Sequence, residues 1–277
     1  MTCMPFGQLM EWVLQEKSGK DTVFGVHRPY TINADHNLTI FERNLETPVG
    51  PAAGPHTQLA QNIIASYYAG ARFFELKTVQ KMDGAELSAC VNKPCILADD
   101  EGYNCEWSTE LTVPDAMSEY IKAWFILHVM AKEFNLGAQD GFQFNISVGY
   151  DLEGIKGDKV NTFIDGMMEA KDTAVFQECK KWLLDNADRF HNFTREDIEA
   201  IPSNVCNSAT ISTLHGCPPQ EIESIANYLL TEKHLNTFVK CNPTLLGYDF
   251  ARKTMDEMGY DYMVFGDFHF RDDLQYE

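Results

Sequence analysis

The sequence predicts an α/β protein of the (β/α)8 TIM-barrel type with about six of the eight β/α units present. Three observations lead there. Strand and helix alternate strictly from residue 47 onward, the signature of right-handed βαβ units around a parallel sheet. No G-x-G-x-x-G follows the first strand, so the dinucleotide fingerprint of an open doubly wound sheet is missing. Polar residues stand instead at the C-terminal ends of nearly every strand, where a barrel places its site.

Each element has its own reason. Residues 5–17 carry apolar side chains at helical spacing, and Ser18-Gly19 ends that run. Leu38 to Phe41 alternates as a short strand, and Asn44-Leu45-Glu46 reads as a turn. Residues 1–37 are therefore expected to be an N-terminal helical extension, with the barrel occupying 38–277. Thr47 to Gly54 is the first barrel strand, short and rich in Pro and Gly, and a helix follows from about Gln58 to Tyr68. Phe73 to Val79 is the second, and after a long connection Val113 to Phe134 is a strongly periodic helix. Phe142 to Gly149 is the third, with helical segments at 160–170 and 174–190. Thr210 to Leu214 and its helix Pro219 to Lys233, Thr237 to Cys241 and a helix over 249–258, then Tyr262 to Phe265 complete the series. The near-continuous apolar strands fit a sheet buried on both faces. Six strands leave a barrel two short, so the chain is expected to be the truncated N-terminal part of one, or to have its gap covered by something else.

Composition narrows the function. With 22 Lys plus Arg against 41 Asp plus Glu the net charge is −19, which argues against nucleic acid or anionic lipid as a partner. The longest apolar run, Ala123 to Ala131, is broken by His128 and far too short to span a membrane. No basic, apolar leader opens the chain, so a cytoplasmic protein with reduced thiols is expected. The cysteines contain no C-x-x-C pair. Cys90, Cys95 and Cys105 form the one local group, too loosely spaced for a usual zinc or iron–sulfur site, and no metal site is expected.

The strand ends hold the chemistry. Pro48 to Gly54 offers small residues that let backbone approach a flat ligand. Lys77, in Glu75-Leu76-Lys77-Thr78, is unusual because an unpaired buried ammonium is costly; either Glu75 or another carboxylate neutralises it, or it faces an anionic or electron-rich ligand. Lys240 repeats the theme before Cys241-Asn242-Pro243, and in a barrel the two lysines converge on one mouth, suiting a cofactor whose reduced form is negative. Asn104 and Asn145 add amides, with Glu106 beside Asn104. His215-Gly216-Cys217-Pro218-Pro219 places a thiol near a helix N-terminus, where the dipole favours thiolate. Cys217 could be a nucleophile activated by His215 or a general acid that protonates substrate carbon; a turn cysteine is the bland alternative.

The blocks PVGPAAGPHTQLAQNI (48–63), FELKTV (74–79), NCEWSTE (104–110), FNISVGYDLEGI (144–155), STLHGCPPQEIE (212–223) and NTFVKCNPTLLGY (236–248) closely resemble the bacterial flavin oxidoreductase family named "putative selenate reductase", related to dihydropyrimidine dehydrogenase and dihydroorotate dehydrogenase. The resemblance implies an FMN site lined by Ala52, Ala53 and Gly54, with Lys77, Thr78, Asn104, Asn145 and Lys240 as further cofactor contacts. It places Asn104, Glu106, His215 and Asn242 toward a small, nitrogen-heterocyclic substrate, with Cys217 as the acid/base partner to hydride exchange at flavin N5. The relatives' N-L-S-C-P loop reads Leu214 to Pro218 here without its Asn and Ser, so a pyrimidine substrate does not follow. The resemblance also implies two further strands that hold the FMN phosphate, and an electron-donor domain or subunit with FAD, NAD(P)H and iron–sulfur clusters, outside this chain. Assembly between copies, a homo-oligomer, would be another way to complete the barrel. Two other readings stand beside it: a Cys–His hydrolase or acyl-transfer enzyme, which leaves the lysines unexplained, and a non-catalytic interaction subunit.

Overall fold

A computed structural model describes residues 3–31, 38–79, 81–90, 111–149, 151–212, 217–241 and 243–272. Helix α1 (Phe6–Lys20) precedes an antiparallel hairpin of β1 (Leu38–Ile40) and β2 (Arg43–Leu45). Then come α2 (Ala60–Ala69), β3 (Phe73–Glu75), α3 (Gly84–Cys90), α4 (Val113–Glu133), β4 (Gln143–Val148), α5 (Leu152–Lys156), α6 (Asp158–Met168), α7 (Ala174–Asp185) and α8 (Arg195–Ala200). The chain continues through β5 (Cys206–Ile211), α9 (Pro219–Asn227), β6 (Asn236–Val239), α10 (Tyr248–Glu257) and α11 (Phe268–Asp272).

The four strands β3 to β6 form one parallel sheet in the order of the sequence. A doubly wound sheet reverses its order at a switch point; a barrel does not. Curvature agrees with the order. Strands three places apart in a flat sheet are separated by about 14 Å, yet the rings of Phe73 on β3 and Phe238 on β6 lie 5.9 Å apart. The sheet is curled into the first part of a barrel wall.

Helices cover its convex side. Phe74 and Phe144 meet edge-on at 5.4 Å, and Trp124 of α4 packs on Phe144 at 5.3 Å. α4 starts where the Thr112 hydroxyl accepts from the Asp115 amide. It is buried on nearly every side, so it carries its own buried ion pair, Lys122 with Glu119. α1 joins the same core through Phe6, Leu9, Met10 and Val13, with Phe6 against Phe125 and Trp182.

The concave side differs from the apolar expectation. All six residues of β4 are buried, but Gln143, Asn145 and Ser147 alternate with Phe144, Ile146 and Val148. β4 is therefore half polar with its apolar half toward the helices, while Phe73 and Phe238 bring aromatic rings to the concave side. At the N-terminal end the hairpin forms a floor. Gln143 Nε2 donates to the carbonyls of Ile40, Arg43 and Asn44 at 3.1, 2.9 and 3.3 Å, and Phe41 packs on Phe238 at 5.0 Å. Beside it, Arg72 and Glu46 pair at 2.7 Å, both buried.

Several expected boundaries move. The hairpin turn lies at Phe41 and Glu42, both at positive φ (51° and 64°), while Asn44 and Leu45 belong to β2. Residues 47–54 form no regular strand, although Val49 and Pro51 carbonyls accept from Arg72, Phe73 and Glu75 amides in parallel progression. Pro48 and Pro51 have no N–H to return, and a Cβ at Gly50 would fall 1.5 Å from the Phe73 carbonyl oxygen. α1 runs past Ser18-Gly19 to a left-handed cap at Asp21. β5 starts at Cys206, four residues before the expected Thr210. The 174–190 helix stops at Asp185, and α8, absent from the sequence reading, is nucleated by Thr194 and Asp197 capping each other's amides. Tyr262 to Phe265 is not a strand: Val264 is 98% and Tyr262 73% exposed, because no neighbour among the described residues pairs with that β-prone run.

Candidate active site

The C-terminal ends of β3 to β6 open together, and the registers bring their polar side chains onto one concave wall. Glu75 pairs with Asn145, Ser147 with Thr210, and Ile211 with Val239, one residue before Lys240. Past β3 the ladder slips. Leu76 N donates to Asn145 O at 2.9 Å and Val79 N to Ser147 O at 3.0 Å, three residues against two. That is a bulge, a device that re-aims side chains near sites. Lys77 sits in it, 3% exposed, its carbonyl held by the Tyr120 hydroxyl at 3.0 Å. Thr78 and Ser147 hydroxyls share a hydrogen bond of 2.8 Å.

Asn145 is fully buried. Its Nδ2 donates to Thr210 Oγ1 at 2.6 Å, whereas its buried Oδ1 has no partner. The Ser208 hydroxyl and Gln143 Oε1 on the same wall are also unpartnered. Buried polar atoms of this kind cost about 1–3 kcal/mol each unless something satisfies them, so the wall presents hydrogen-bonding capacity to whatever occupies the barrel interior.

Lys240 Nζ reaches across to Glu75 Oε1 at 3.4 Å, and Glu75 Oε2 accepts from the Ala53 amide at 3.1 Å. One carboxylate thus ties the small-residue loop to the sixth strand. Ala52 is exposed, Ala53 half-buried, and Gly54 buried with its amide on Thr57 Oγ1 at 3.2 Å. Glu75, one of the groups considered as a neutraliser of Lys77, pairs with Lys240, a partnership that curvature creates and linear spacing does not reveal.

Cys217 is half-buried immediately before Pro218 and α9, its Sγ 4.0 Å from the Pro218 carbonyl oxygen. Glu221, the acid in the first turn of α9, is occupied elsewhere, accepting from Leu152 N at 2.7 Å. Burial pushes the Cys206 thiol up to about 12, against the opposing charge of Arg43, and raises Cys3 to about 11. Asn104, Glu106, His215 and Asn242 lie outside the described residues, as do Cys95 and Cys105 and the side chain of Cys90. Among the described residues no three His, Cys, Asp or Glu side chains are grouped to hold a metal, and no helix is long and apolar enough to cross a membrane.

Glu75, Ser147, Ser208 and Thr210 were not singled out as site residues. Their signal was available, since Q-F-N-I-S-V and N-S-A-T-I alternate with the period of a strand that has one polar face. A cavity of about 200 Å³ lies at the other end of the sheet, lined by Arg43, Trp124, His128 and Phe142 among others. Glu75 and the lysines lie at the opposite, C-terminal end of the strands, away from this cavity.

Comparison with known proteins agrees with this geometry. Two proteins named "Putative oxidoreductase YgfK", from Escherichia coli strain K12 and Escherichia coli O157:H7, are each 44% identical over 289 aligned residues, covering 99% of this chain. The chain spans 28% of the length of these relatives. No solved structure matches it. A family model for the N-terminal TIM-barrel domain of oxidoreductase YgfK matches residues 24–277. Strand order, curvature and that match over most of the chain agree, and the chain belongs to the family of YgfK oxidoreductase N-terminal TIM-barrel domains.

Proposed function

We propose that this domain is the FMN-binding catalytic barrel of a cytoplasmic oxidoreductase that reduces or oxidises a C=C or C=N bond of a small nitrogen heterocycle. The observation that carries the reading is the unpartnered, fully buried Asn145 Oδ1 in a polar wall bounded by Lys77 and by the Lys240–Glu75–Ala53 chain. An ordinary barrel interior is packed with branched apolar side chains; this one fits a planar ligand with both donors and acceptors. Asn145 would satisfy its Oδ1 on such a ring, and Lys77, Thr78 and Lys240 would hold its polar edge. Ala52, Ala53 and Gly54 would allow its close approach. FMN, when bound, supplies hydride exchange at N5. The positive charge of the two lysines favours the negative reduced form. Cys217, half-exposed at the start of α9, would hold or release the proton that accompanies hydride transfer. Asn104, Glu106, His215 and Asn242 are the proposed substrate contacts.

The remaining length of the relatives is where we place the last strands of the barrel and the FAD, NAD(P)H and iron–sulfur elements that deliver electrons. The name selenate reductase belongs to this proposal as a family label and does not identify the substrate. The test is a visible absorption spectrum and FMN titration of the chain and of the longer polypeptide. Bound flavin lost about tenfold or more in affinity on Asn145→Leu is the expected result, from a hydrogen bond worth roughly 1–3 kcal/mol. A longer polypeptide that purifies without flavin and shows no FMN binding overturns the reading.

A further inference from the structure

We propose that Glu75 is the resident counterion of Lys240 and a positioning residue that sets how much positive charge the barrel mouth offers its cofactor, an inference that rests on the flavin reading above. Three observations carry it. Glu75 stands at the last residue of β3, in register with Asn145, so it belongs to the same wall as the unpartnered amide oxygen. Its two carboxylate oxygens serve different elements, Oε2 the Ala53 amide at 3.1 Å and Oε1 Lys240 Nζ at 3.4 Å. The second contact is loose and unequal in burial, the Lys240 side chain being 42% exposed and Glu75 15%.

A pair this exposed adds little to stability. The pair sets a carboxylate beside a lysine proposed to hold the cofactor, and an anion there opposes the gain of electrons. The arrangement makes sense as a device that moderates Lys240. With Glu75 charged, the ammonium is shared between the carboxylate and the ligand, so the lysine stabilises the reduced form less than a free one would. The backbone bond to Ala53 makes the same carboxylate responsible for the position of the small-residue loop. Charge and loop position are thus coupled through one side chain, and substitution can separate them.

Glu75→Gln keeps an oxygen for the Ala53 amide and removes the charge; Glu75→Ala removes both. In FMN-loaded protein, Glu75→Gln is expected to shift the flavin midpoint potential to more positive values and to tighten binding of the reduced form by about tenfold. Glu75→Ala is expected to weaken FMN binding through the freed loop. Two readouts need no cofactor. Hydrogen exchange at the Ala53 amide should accelerate in Glu75→Ala and stay slow in Glu75→Gln. A double-mutant cycle of Glu75→Gln with Lys240→Met in urea should show coupling between the two sites. Wild-type potential in Glu75→Gln, or absent coupling in the cycle, overturns the proposal. If the wild-type protein binds no FMN, the flavin reading fails and takes the cofactor role with it, while the exchange and coupling measurements still decide whether Glu75 links the loop to Lys240.

Discussion

Two ion pairs anchor the two ends of one short strand, and they are built to opposite specifications. At the entry to β3, Arg72 meets Glu46 at 2.7 Å with side chains 0% and 7% exposed. The guanidinium also donates to the carbonyls of Tyr67, Ala71 and Leu136, each at 2.9 Å, and lies 4.0 Å from the Tyr67 ring centroid. Glu46 returns further bonds by accepting from the Ala138 amide at 2.6 Å. Three residues later Glu75 meets Lys240 at 3.4 Å in partial solvent. The first pair is dry, multiply bonded and committed. The second is partly exposed and longer, and its carboxylate also accepts from the Ala53 amide. A barrel divides its labour this way, with stability at the N-terminal end and chemistry at the C-terminal end.

Breaking the closed end should have the largest effect. Glu46→Ala leaves the Arg72 charge buried without a counterion, and a loss of about 3–5 kcal/mol in unfolding free energy is expected in urea titrations. A loss below about 1 kcal/mol would show that the pair is not the anchor its burial implies.

The same end sets a pH dependence. His128 packs against Trp124 and Phe142 at ring distances of 4.6 and 5.1 Å, with its buried Nε2 unpartnered. Burial, reinforced by the Arg43 charge, lowers it to about 3. The unfolded chain takes up that proton near pH 6.5. Between those values the unfolded state binds one proton more, so the stability is fully present above pH 6.5 and is lost as pH falls, by about 1.4 kcal/mol per unit. His128→Phe should flatten the stability profile between pH 6.5 and 4, and parallel profiles for the two proteins would contradict the assignment. Asp197 adds a smaller dependence on the acid side. Burial pushes its carboxyl up, but hydrogen bonds from Lys132 and Thr194 outweigh that and hold it below its ordinary value. Its share is present above pH 4 and lost as pH falls below it.

At the open end the stability effect should be small. Lys240→Met is expected to change unfolding free energy by less than about 1 kcal/mol, since a half-exposed pair is worth little, while lowering the flavin affinity proposed above. A stability loss as large as that of Glu46→Ala would erase the distinction between the two ends.

What was legible in advance follows the range of the interactions. The alternation of strands and helices, the start of α4 at Val113 and the lysines at strand ends are local or periodic features, and the structure has them at or near the expected residues. The missed turn at Phe41 and Glu42 had no Asn or Gly to announce it, because the packing of Phe41 on Phe238 holds a conformation its residues do not favour. The expected strand at 262–265 had suitable residues but found no partner among the described strands.

The order of residues by itself determined the βα repeat and the polar face of the strands, because backbone periodicity assigns every second side chain to one side regardless of what lies opposite. It also determined that the small residues and the lysines follow the strands and that Cys217 precedes a helix. Only the tertiary structure decided which groups meet. Glu75 answers Lys240 from 165 positions away because the curled sheet brings the first and last strands together. Asn145 keeps an unpartnered oxygen because the neighbouring strand offers Thr210 to its nitrogen alone. Those partnerships depend on curvature and register, quantities set by the whole sheet and not by any segment of the chain.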